Sequence, residues 1–166
     1  MTKIYRQGAV GALLDEYERA VNELEDTIST LDRQSFLIIV DTETKDKDCV
    51  SIQSVLYHVV KAGYGYANRI RKQFGDTLPK NKEDYEIITP ADACRELKNM
   101  LAYTEETLNN KYNLTLDDIL HNIMKSPTGQ NYDFEQLLEH AIVHILRHRR
   151  QVEMFKLKML SDKLNG

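Results

Sequence analysis

The chain has 166 residues, of which 42% are hydrophobic and 29% charged, and it carries a net charge of -4. That balance suits one globular domain with a buried core, and the acidic excess argues against a nucleic-acid-binding surface. Only seven glycines and three prolines interrupt it, which favours helix over turn-rich architectures.

Taken in chain order, the first apolar periodicity runs from about Gly8 to Leu31. Leu13, Leu14, Tyr17, Val21, Leu24 and Ile28 recur at three- and four-residue steps, the spacing of one helix face. "SFLIIV" (35–40) is the one strand-like run; being short and isolated, it reads as the extension or end of this helix. The polar stretch "DTETKDKD" (41–48) then breaks the pattern. A second helix starts near Ser51, with Val50 or Ser51 as its cap. Its apolar face holds Ile52, Val55, Leu56, Val59, Ala62, Gly63, Tyr66 and Ile70. Residues 75–88 read as a loop. The third helix has Thr89 as N-cap, Pro90 at its first position and Asp92 in its first turn. A connection over 111–131 contains a short helix in "TLDDILHNIM" and a turn at "SPTGQN". The last helix begins at Asp133, with Gln136 in capping-box spacing, and runs past Phe155. No segment alternates with period two for long enough to argue a sheet. The fold class expected is all-α: a four-helix bundle over 1–166, with a short extra helix before the last one.

Three of the five histidines lie four residues apart in the last helix, in "LLEHAIVHILRHRRQVEMF" (137–155). At about 100° per residue, Phe134, Leu137, Ala141, Ile145, Val152, Phe155 and Met159 fall within roughly 60° of His148. His148 therefore sits near the middle of the apolar stripe, His144 to one side of it and His140 at the rim, with Glu139 on the opposite face. A buried imidazole needs partners for both ring nitrogens. Two inward histidines one turn apart either form a buried polar cluster or converge on one ion. A third ligand must come from another helix. His58, in mid-second-helix beside the small Ala62 and Gly65, fits a ligand at a cleft wall and equally a tight helix contact. His121, in the connection, is expected to be exposed.

The approach Ser51–His58 and the run His144–Val152, with its H-x-x-x-H-R-x-Q pattern, resemble the DinB/YfiT-like family. The resemblance implies a four-helix bundle holding one divalent metal, nickel or zinc, on His58, His144 and His148, with His140 supporting them from the rim. Arg150 stands where that family carries glycine, and no tryptophan precedes the second helix. The resemblance also implies a metal-dependent enzyme. Its metal would activate a low-molecular-weight thiol or water for transfer to a small electrophilic substrate. Tyr66 and Arg69, beyond His58 on the second helix, are candidate substrate contacts by position, although Tyr66 on the apolar face reads first as a structural residue and Arg69 as an exposed helix charge. A hydrolase is an alternative that needs a general base, and a non-catalytic, stress-related bundle is another.

No apolar run approaches the roughly 20 residues of a membrane span, and MTKIYRQGAV lacks a signal-peptide pattern. A cytoplasmic protein with no membrane or nucleic-acid partner is expected, and its long bundle faces suit a homodimer. Arg147, Arg149 and Arg150 diverge around the helix and so make no basic stripe. Cys49 and Cys94 lie outside any CxxC motif and read as packing residues.

Overall fold

The computed structural model describes residues 4–78, 85–126 and 129–165. Helix α1 (Gly8–Ser29) is followed by the short α2 (Arg33–Leu37), then α3 (Ile52–Phe74), α4 (Pro90–Leu108), the short α5 (Leu116–His121) and the long α6 (Phe134–Asn165). Helices α1 and α3 each pack on both α4 and α6, so the four long helices enclose one core. Leu14, Leu24, Ile28, Leu56, Ile70, Leu97, Met100 and Leu137 are all buried there. Burying each such side chain contributes about 1.5–3 kcal/mol.

The caps set which turn of each helix carries which residue. At the start of α3, Ser51 Oγ accepts from Ser54 N–H at 3.1 Å. Thr89 Oγ1 accepts from Asp92 N–H at 3.1 Å, and Asp92 Oδ2 accepts from Thr89 N–H at 2.9 Å. Asp133 Oδ1 accepts from Gln136 N–H at 2.8 Å, and Gln136 Oε1 accepts from Asp133 N–H at 3.1 Å. Each cap contributes about 1 kcal/mol.

The fold departs from the sequence expectation in two places, and both lie beside the histidines. "SFLIIV" does not extend α1. Asp32 caps a separate helix by accepting from Ser35 N–H at 2.7 Å, and Ile39 then forms an isolated antiparallel bridge with Ser51. Val40 and Asp41 N–H both donate to Val50 C=O, at 2.9 and 3.1 Å. These bonds close a neck, so the polar stretch 41–49 becomes a loop whose last turn, the 3-10 turn Lys47–Cys49, lies against α3. The second departure is a small antiparallel hairpin, β1 (Met124–Lys125) with β2 (Asn131–Tyr132), which touches α3 and α6. Two-residue strands are too short to show a period of two in sequence. Part of the expected turn between them, residues 127 and 128, lies outside the described residues.

Glycine has opposite roles at two neighbouring positions of α3. A Cβ on Gly63 would overlap Met100 Sδ and come within 3.1 Å of the Tyr17 hydroxyl. A Cβ on Gly65 would meet only Arg69 Nη1, at 3.8 Å. Alanine is the better helix former by about 1 kcal/mol. Gly65→Ala should therefore raise the urea midpoint, whereas Gly63→Ala should lower stability by about 1–2 kcal/mol through overpacking.

Candidate metal centre

Helix α3 contributes His58 and α6 contributes His144 and His148, facing each other across the α3–α6 contact. One nitrogen from each of the three lies within 4.8 Å of the others. His58 Nε2 and His144 Nε2 are 3.0 Å apart. The ring centroids are 5.0 Å apart for His58 with His144, 5.0 Å for His58 with His148, and 4.5 Å for His144 with His148. His148 is 4% exposed, at the centre of the buried stripe, and the other two are half-buried. His140 is exposed at the rim and His121 is exposed beside Asp117, both as expected.

The far nitrogens of two of these rings face side-chain oxygens. His148 Nδ1 donates to Gln151 Oε1 at 2.9 Å, which leaves its Nε2 with a lone pair. Asp48 Oδ2 lies 3.5 Å from His58 Nδ1, on the ring edge that does not face His144. Lone pairs cannot face each other at 3.0 Å without a proton or a cation between them. Burial pushes the His144 imidazole down to about 3, helped by repulsion from His148 and His58. His148 is lowered too, by burial first, with the Gln151 bond opposing it. Both rings of α6 are therefore neutral near pH 7, the form that ligates metal.

The donor set fits a divalent ion. Tetrahedral bonds of about 2.0–2.1 Å put nitrogens roughly 3.3 Å apart; His58 and His144 stand at 3.0 Å, and all three lie within 4.8 Å of one another. Imidazole donors suit zinc and nickel, and three of them leave a coordination position open.

Beyond His144 the site continues as an aromatic wall. The Tyr66 ring packs edge-on against His144 and His140, with centroids at 5.8 and 5.6 Å. The Tyr132 hydroxyl is 3.4 Å from His140 Nδ1. Arg69 lies farther along α3, folded back towards Gly65.

The sequence matches the DinB family over residues 4–155. The chain belongs to the DinB family. A crystal structure described as the conserved protein of locus from Enterococcus faecalis has a similar fold, with a TM-score of 0.56 and 14% identity. That similarity covers 94% of this chain and 99% of the other. No curated protein matches the chain.

Within this DinB bundle, three residues of the site escaped sequence reasoning. Gln151 had a readable signal: it lies one turn after His148, at a spacing that puts both on one helix face. Asp48 had none, because its approach to His58 depends on the neck between Ile39 and Ser51. Tyr132 had none either, since it arrives on the hairpin.

The depressed histidines give a pH dependence of definite sign. Their folded values lie below the ordinary 6.5, so below about pH 6.5 the unfolded chain binds more protons, and stability falls as pH falls. The urea midpoint of the metal-free protein should drop between about pH 7 and about pH 5, and His144→Leu should flatten that drop.

Proposed function

We propose that this DinB protein is a metal-dependent enzyme that binds one zinc or nickel ion on His58, His144 and His148. In this reading it activates a low-molecular-weight thiol for transfer to a small electrophilic substrate. The observation that carries the reading is the convergence of three imidazoles from two helices, with Asp48 and Gln151 beside the far nitrogens of two of them. An ion bound there would lower the pKa of a thiol or water in its open position.

The protein's own groups do the rest. Gln151 keeps a proton on the far nitrogen of His148, so that the near one presents a lone pair, and Asp48 stands beside the far nitrogen of His58. Tyr66 closes the wall beside His144 and keeps water from that side of the site. His140 and the Tyr132 hydroxyl stand at the mouth, within reach of each other, where a proton can be passed to or from an incoming molecule. Hydrolysis on the same ion is the second reading. It requires a base to activate water, and Glu139 is exposed on the far side of α6. A thiol that ionises on binding needs no such base, which favours the transfer reaction.

Elemental mass spectrometry of protein purified without a histidine tag should find about one zinc or nickel per chain. His144→Ala and His148→Ala should each abolish stoichiometric binding, whereas His140→Ala should leave most of it. Retention in the first two, or loss only in the third, would refute the ligand assignment and return the histidines to a packing role. Gln151→Leu should keep the fold and weaken metal affinity about 10–100-fold.

A further inference from the structure

Arg69 has no partner among the described residues. The other buried or half-buried lysines and arginines described each have one. Arg6 binds Asp15, Glu18 and Glu105, Arg71 binds Glu106 and Thr107, and Lys111 binds Asp76. Arg149 pairs with Glu23, and Lys156 donates to the Thr27 carbonyl. Arg69 is half-buried yet makes no hydrogen bond or ion pair among them. No guanidinium nitrogen of Arg69 is buried without a partner, so its five donors stand open to an incoming anion.

Its position says what it would complete. His58, Gly65 and Arg69 follow one another at seven- and four-residue steps, along one face of α3. The Arg69 side chain turns back towards the histidines until Nη1 hangs over Gly65, where no side chain stands in the way. Its charge reaches the Tyr66 hydroxyl, which burial pushes up and Arg69 pulls back. Tyr66 in turn touches His144. The face thus runs from three metal-ligating nitrogens, past an aromatic wall, to one cation about 10 Å along the helix from His58.

We propose that the thiol activated at the histidines carries a carboxylate, bound by Arg69 at the far end of this face. The proposal rests on thiol activation at the histidine cluster. A carboxylate matches the guanidinium fork in shape. Its single charge neutralises the single cation, whereas a phosphate dianion would leave one charge uncompensated. The ligand is then a small thiol acid, spanning from the ion to Arg69 across the face of Tyr66.

The test uses the cobalt-loaded protein, in which thiolate coordination gives a charge-transfer absorption band. Two thiols of equal length are titrated, mercaptohexanoate and mercaptohexanol, the first ending in a carboxylate and the second in a hydroxyl. The wild type should bind the acid roughly 10-fold more tightly than the alcohol, as expected of one charge-assisted contact. Arg69→Gln should lose that preference while keeping its cobalt and its affinity for the alcohol. Arg69→Lys should restore part of the preference. Mercaptoacetate, too short to span this face, should bind equally to wild type and Arg69→Gln. Equal affinities for the two long thiols in the wild type, or a preference that survives in Arg69→Gln, would overturn the carboxylate site and leave thiol activation standing. Bound cobalt with no charge-transfer band from any thiol would instead bring down the thiol reading, and the carboxylate site with it.

Discussion

Two imidazole nitrogens from different helices face each other at 3.0 Å, so either the N–H of one neutral ring or a cation must lie between them. Much of the site's construction follows from that requirement. In water each nitrogen would take its own hydrogen bond. Between α3 and α6, with His148 buried beside them, solvent competes poorly and the nitrogens must satisfy one another. A shared proton is one solution and a shared cation the other. Burial and mutual repulsion, which hold His144 far below its ordinary value, count against an imidazolium there, so a proton shared with His58 is the tautomeric proton of a neutral ring. They do not count in the same way against an ion that accepts all three lone pairs.

Orientation of the rings is supplied from outside the bundle core. A histidine that presents one nitrogen to a ligand needs its other nitrogen protonated and held. For His148 that partner is on the same helix, where Gln151 comes round after one turn. For His58 it comes from the loop 41–49, tied at its neck by the Ile39–Ser51 bridge and by the Val50 carbonyl. A strand-like run that looks like the frayed end of a helix thus becomes the anchor that brings an aspartate to the site. The hairpin does the corresponding work on the other side, placing Tyr132 against His140.

The chemistry of this face is graded along its length. One end offers imidazole nitrogens, donors that suit a borderline divalent ion better than calcium or magnesium. The middle is aromatic and partly buried, with small residues on the α3 side. The far end holds a guanidinium with no partner among the described residues. Such a sequence of environments suits an elongated molecule with a soft metal-binding atom at one end and a negative charge at the other. Membership of the DinB family fixes the architecture in which this gradient is built, and the choice of ligand belongs to the side chains.

Much of the bundle was legible in the chain. Periodicity and caps are local: an apolar residue every three or four positions, or a Ser, Thr or Asp facing a residue three ahead, is recorded within a single helical turn. For the same reason the inward placement of His144 and His148, and the rim position of His140, could be read from one helix alone. The contribution of His58 was harder, because its own helix leaves it on the flank and only the approach of α6 turns that flank into an interior. Asp48, Tyr132 and the lack of an ion pair for Arg69 among the described residues could not be read at all. Each depends on which distant segment comes alongside and which does not, and that is settled by loop closure and helix packing over tens of residues. The sequence by itself determined the helices, their buried faces and the two ligand candidates one turn apart. Only the tertiary structure decided that a third imidazole, a carboxylate and a guanidinium with no ion pair among the described residues share their face, because contacts between remote segments leave no periodic trace in the chain.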